Sequence, residues 1–221
     1  GLDKGFLKRI SQFKTDSAVI KINIALKELP DFICLPGTIP GLQHSGSLEI
    51  SPTPDYVQEA YEDAARGELS KKPYIEAYMQ SATDPSVAPA GMHTISMFTQ
   101  YAPYHLKGRE WSEEVKKEMA ERAITTVTEF APNFADAVIA YQVLSPVDIE
   151  QRYGMTNGNI FHGEITPDQL FSFRPTPECA RYRTPIAGLY LCGSGTHPGG
   201  GVMGAPGHNA AKALLSDWAK K

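Results

Sequence analysis

Cysteine is scarce in this chain. Cys34, Cys179 and Cys192 are its three thiols, far apart and without a C-x-x-C pair. A dithiol redox centre within these residues is therefore not expected, and an odd, scattered count suits a reducing compartment. Basic clusters are missing too. The net charge is −4 and the pI about 5.9, with no run of like charges, which argues against nucleic acid as a partner. No apolar run approaches the eighteen or so residues of a bilayer span, so the expectation is a chain that is not transmembrane. No signal or transit peptide reads at the start. Gly-Lys-Ser/Thr, H-E-x-x-H and G-x-S-x-G are all absent, which removes the P-loop, the zinc helix and the nucleophile elbow. Nor does anything in residues 1–40 read as strand, glycine turn and helix with a downstream acid.

What is present is ordinary globular material: 221 residues, 42% hydrophobic and 21% charged, enough for one large domain or two small ones. Leu2, Phe6, Leu7, Ile10 and Phe13 recur at helical spacing and predict a short helix over 3–13. Ile20, Ile22, Ile24 and Leu26 alternate with Lys21, Asn23, Ala25 and Lys27, the pattern of a half-buried strand. Residues 29–47 read as loop. Thr53-Pro54 predicts a capped helix running to Arg66 and stopping at Gly67. Residues 73–80 and 93–102 read as strands. Ser112 caps the longest helix, with the stripe Trp111, Val115, Met119, Ala123, Val127 and Phe130. A strand over 136–144 and a short helix from Pro146 to Tyr153 follow, then an irregular stretch over 160–183. The expected class is α+β: a mixed, largely antiparallel sheet with covering helices, closed by a C-terminal strand–loop–helix.

That last unit is the most informative. Gly188-Leu-Tyr-Leu-Cys-Gly runs into a stretch in which seven of the fifteen residues from Gly193 to Gly207 are glycine. Leu189–Cys192 is expected as a strand with Cys192 a small buried hydrophobe, and a helix is expected to begin within four residues of Pro206. Strand, bare loop and helix start let backbone approach a flat or anionic ligand and present N–H groups at a positive helix end. Gly199-Gly-Gly-Val-Met-Gly204 matches G-x-G-x-x-G, but a dinucleotide fold needs a second parallel strand and an acid about 20 positions on. Seventeen residues follow Gly204, so this is not the opening of a Rossmann domain. A glycine turn that merely packs the terminal helix is the bland alternative.

The run from Gly188 to Ala211, with Gly158-Asn-Ile-Phe-His-Gly-Glu, Asp168-Gln-Leu-Phe and Arg174-Pro upstream, resembles the C-terminal flavin motif of the phytoene desaturase-like FAD oxidoreductases, relatives of the flavin amine oxidases. The resemblance is carried by residues 140–221 and extends loosely to 1–140. It implies FAD as cofactor. Gly193, Ser194 and Gly195 would lie near the ribityl-pyrophosphate. Thr196, His197, Pro198, Gly199, Gly200, Gly201, Val202 and Met203 would line the flavin ring and its helix cap. Many such flavoproteins carry Asp where this chain has Ser194, which hydrogen-bonds as a neutral group. The resemblance also implies a Rossmann segment missing from the N-terminal side, a chain that is the C-terminal part of a longer oxidoreductase, and a small hydrophobic or amine-like substrate. It assigns 1–145 to a substrate-type domain, 146–184 to a connecting, cavity-facing segment, and 185–221 to the C-terminal part of the FAD-binding domain. One relative suggests the mitochondrion, and with it an alternative: a non-enzymatic regulatory or binding partner of another mitochondrial protein that keeps the flavoprotein fold. A glycine-loop domain for some other anion ranks last.

Other constellations are weighed against plainer readings. His162-Gly-Glu164 lacks a third ligand, so a metal is not expected. His197 and His208 can act as acid–base groups, but His197 is read first as shaping the loop. Arg174, Arg181 and Arg183 suit an anion, yet loop salt bridges are preferred. Tyr101, Tyr104, Phe161, Phe171 and Phe173 suit an apolar cavity, although aromatic clusters are more often core. No catalytic base is named.

Overall fold

The computed structural model describes residues 1–220. Five strands form one antiparallel sheet: β1 Val19–Leu26, β2 Ser47–Ile50, β3 Tyr74–Tyr78, β4 His93–Gln100 and β5 Val138–Leu144, in the order β2-β3-β4-β1-β5. The helices are α1 Lys4–Ser11, α2 Pro54–Ala65, α3 Gln80–Thr83, α4 Glu113–Phe130, α5 Phe134–Ala137, α6 Pro146–Tyr153 and α7 Ala205–Trp218. The chain divides into two compact units, one of residues 1–16 with 154–221 and one of residues 17–153. The breaks fall at 16/17 and 153/154, so α1 groups with the C-terminal residues.

Unit 2 (17–153) is built by hydrophobic burial. The alternation of β1 puts Ile20, Ile22, Ile24 and Leu26 on one face, all at most 2% exposed. They share one core with Ile75, Ile95, Met97 and the α4 residues Met119, Ala120, Ala123 and Val127. Each such aliphatic side chain contributes roughly 1.5–3 kcal/mol when removed from water. Caps fix the helix starts: Thr53 Oγ1 accepts from Tyr56 N at 3.1 Å and Ser112 Oγ from Val115 N at 3.4 Å. Gly67, at φ +79°, ends the α2 region in the left-handed conformation that glycine adopts without penalty. Two expectations shift. Asp136 and Ala137 are helical, so β5 begins at Val138. β2 begins at Ser47, at the end of the stretch expected as loop.

Unit 1 (1–16, 154–220) is held differently. Its middle is a series of turns and short 3-10 segments, as the irregular reading of 160–183 requires. Buried amides stitch it together. Asn159 donates to Asp16 O at 2.8 Å and accepts from Phe161 N and Gly163 N at 2.9 and 3.2 Å. Gln169 accepts from Lys14 N at 2.6 Å and donates to Lys14 O at 3.0 Å, pairing with that backbone as a strand neighbour would.

Candidate functional site

The glycine loop runs from the end of the Leu189–Cys192 segment to α7. That segment is not a strand. Its ladder is a single bridge, Arg183 with Tyr190, and Cys192 is exposed rather than buried. Four apolar residues without a neighbouring strand gain neither ladder nor cover, which corrects the sequence expectation at both points. The expected helix does form: α7 starts at Ala205 with Pro206 in its first turn and no side chain capping it.

The loop has a closed side and an open side. Thr196 and Gly199 are buried, Ser194, Gly195, His197, Pro198 and Gly200 are half-buried, and Gly193, Gly201, Val202, Met203 and Gly204 are exposed. On the closed side the carbonyls are anchored. His197 O accepts from Tyr182 Oη at 3.1 Å, and the same hydroxyl accepts from Asn209 Nδ2 of α7 at 3.0 Å. Pro198 O accepts from Phe171 N at 3.1 Å. Ser194 O accepts from Arg174 Nε at 3.3 Å. In a trans peptide C=O and N–H point opposite ways, so inward Ser194 and Pro198 carbonyls turn the Gly195 and Gly199 amides outward. Among the described residues the N–H groups of Gly195, Gly199, Gly200, Gly201, Val202 and Met203 have no hydrogen-bond partner. Gly193, Gly199 and Gly201 have φ of +90°, +143° and +107°, conformations that spare the loop a side chain at each turn. His197 Nδ1 is buried without a partner. The result is a row of unsatisfied donors ending at an uncapped helix start, which suits an acceptor-rich or anionic ligand.

Arg174 departs from the loop salt bridge preferred for it. It makes no ion pair among the described residues. Fully buried, it donates to the carbonyls of Phe161, Gly163, Glu164, Gln169 and Ser194, and stacks 5.5 Å from the Phe13 ring. Backbone carbonyls carry no signature in sequence; the only hint was the Arg174-Pro pair inside the family-like run. Arg183 behaves as the plainer reading held, pairing with Asp217 of α7, and Arg181 is exposed. His162 is exposed at φ +56°, and no group of three potential metal ligands exists among the described residues. Of the five aromatics, Phe161, Phe171 and Phe173 are 36%, 63% and 54% exposed in unit 1, and Tyr101 and Tyr104 belong to unit 2.

Unit 2 carries a separate feature. The outer face of its sheet bears a groove of about 590 Å³ whose lining includes Asn23, Ala25, Thr94, Ser96, Ala140 and Gln142, together with Gln80 and Val87. Asn23 links the strands, accepting from Ser96 Oγ at 3.0 Å and donating to Gln142 at 3.5 Å. Lys21 reaches Ser96 Oγ with its ammonium 4.0 Å over the Phe98 ring, and burial lowers its pKa.

No protein-family model matches the chain. Individual relatives do. Pyridine nucleotide-disulfide oxidoreductase domain-containing protein 2 of Rattus norvegicus is 44% identical across 98% of this chain and 38% of its own length. A limonene dehydrogenase polypeptide of Castellaniella defragrans is 33% identical over 61% of this chain and 25% of its own. A neurosporene-forming phytoene desaturase of Rhodobacter capsulatus is 29% identical over 81% of this chain and 34% of its own. The chain thus spans well under half the length of the curated relatives it matches. It is, over nearly all its residues, a relative of pyridine nucleotide-disulfide oxidoreductase domain-containing protein 2 and, more distantly, of the phytoene desaturases.

Proposed function

We propose that the protein is an FAD-dependent oxidoreductase and that Gly193–Met203 holds part of the cofactor. The observation that carries this reading is the one-sided loop, with its anchored carbonyls, outward amides and uncapped helix end. These donors fit a ligand rich in acceptors, and Gly193 and Gly201, where an added Cβ would meet open space or only the tip of Met203, leave that side bare. Bound FAD would supply the hydride-accepting chemistry. The chain's own part is to fix the ligand's position: Tyr182 ties the loop to α7, Arg174 and Phe171 hold its carbonyls inward, and the free amides meet the acceptors.

A hydrophobic substrate is the class we favour over an amine. The relatives named for phytoene and limonene act on apolar molecules by their names, and the groove in unit 2 is lined by small and neutral side chains with Lys21 as the cation beside it. A protonated amine would be repelled there, whereas an apolar molecule would not.

The experiment is the absorbance spectrum of the full-length purified protein. Flavin bands that persist through gel filtration, at about one flavin per chain, are the expected result. A folded, colourless protein that does not take up added FAD overturns the reading and favours a non-enzymatic binding partner.

A further inference from the structure

Arg174 is the largest fully buried side chain of unit 1, with no exposed surface. Its guanidinium donates from Nε to Ser194 O at 3.3 Å, from Nη1 to Glu164 O and Gln169 O at 3.2 Å each, and from Nη2 to Gly163 O at 3.4 Å and to Phe161 O. No carboxylate pairs with it among the described residues. Five carbonyl dipoles solvate the charge without cancelling it. A buried arginine is ordinarily paired, because an isolated interior charge is costly, and arginine stays charged where lysine would give up its proton. Burial alone acts on its pKa, downward.

Its place matters more than its cost. The bond to Ser194 O turns the Ser194–Gly195 peptide so that the Gly195 N–H faces away from the guanidinium, toward the open side. A Cβ built on Gly199 would lie 4.0 Å from Arg174 Cδ, so the side chain also runs directly behind that turn. One residue thus does two things on the closed side of the loop: it orients an amide, and it places a positive charge with no counterion.

We propose that Arg174 is a positioning residue for the anionic diphosphate of the cofactor, turning the Gly195 amide outward and supplying the charge that the phosphates meet across the loop. This deepens the FAD reading and rests on it. The phosphates are singled out because the guanidinium bonds directly to Ser194, in the Gly193–Gly195 segment that the family resemblance sets beside the pyrophosphate. A purely architectural arginine would hold the loop for any flavin alike, whereas a charge aimed at phosphate discriminates FAD from riboflavin, which has none.

The test uses the full-length apoprotein, titrated with FAD and with riboflavin, as wild type, Arg174→Gln and Arg174→Lys, with folding checked by circular dichroism. Glutamine is expected to weaken FAD by about tenfold or more while changing riboflavin by less than about threefold, tenfold being 1.4 kcal/mol. Lysine, which gives up its proton when buried and lacks the fork, should lose FAD much as glutamine does. If the glutamine variant fails to fold, the lysine variant carries the same comparison of FAD with riboflavin. Equal losses for both ligands overturn the proposal and leave the FAD reading intact. A wild type that binds neither ligand overturns both.

Discussion

Asp217, in the last turn of α7, takes the Arg183 guanidinium in a two-toothed grip, Nε to Oδ2 at 2.6 Å and Nη2 to Oδ1 at 2.9 Å. Tyr190 Oη adds a third bond to the same carboxylate at 2.8 Å. Three donors favour the ionised form, first through the Arg183 hydrogen bonds, and the Asp217 pKa drops to about 2. The helix end is thereby fastened to the two segments on either side of the Arg183–Tyr190 bridge.

A pH dependence follows from that grip. The folded-state pKa lies below the ordinary aspartate value of about 3.9, so the stabilisation is present above pH 4 and lost as pH falls toward 2. The stability difference between wild type and Asp217→Asn, followed by thermal melts, should therefore be steady from neutrality to about pH 4 and shrink to nothing near pH 2. A difference that stays constant through that window would show that the carboxylate's charge is not what Arg183 uses.

Gly200 is closed by protein rather than by open space. A Cβ there would sit 2.7 Å from Phe161 Cδ1 and 2.9 Å from Phe161 Cβ. Since Phe161 O is one of the Arg174 acceptors, Gly200→Val should push Phe161 aside and disturb the cage beneath the loop. Flavin retention in the full-length protein is expected to fall by about tenfold or more, an energy of 1.4 kcal/mol, and Phe161→Ala in the same protein should restore much of it. Failure of that rescue would place the clash elsewhere.

The core of unit 2 separates two phenylalanines four residues apart. Phe134 is fully buried and Phe130 is 38% exposed. Phe134→Ala should lower unfolding free energy by about 3–5 kcal/mol in urea titrations, and Phe130→Ala by about 1 kcal/mol or less. Similar losses would mean that the end of α4 packs more tightly than its exposure indicates.

The groove on the outer sheet face is open to a simple block. Ala140 is exposed on β5 and lines that groove. Ala140→Trp should fill it at little cost in stability, reduce binding of a neutral apolar dye such as Nile red, and leave the flavin content unchanged. Undiminished dye binding would remove the groove as an apolar binding surface.

Much of unit 2 was legible because its signals are local. The alternation of β1, the Thr53 and Ser112 caps and the Gly67 stop each act within a few residues, and each appears where expected. The margins misread are those where partners decide. β2 has four residues with no strong alternation and exists by pairing with β3. Leu189–Cys192 has a strand's composition but no strand beside it. Asp136 and Ala137 stay helical as α5 runs into β5.

The glycine run, the helix behind it and the kinship they signal were fixed by composition and order along the chain, because glycine's missing side chain and proline's fixed φ act wherever they stand. Which side of that loop is closed, which amides are left free, and that Arg174 serves carbonyls instead of an acid were settled only by tertiary structure. The reason is physical: a hydrogen bond to backbone costs the partner residue no particular side chain, so the five acceptors of Arg174, from Phe161 to Ser194, come into register only when the chain has folded around them.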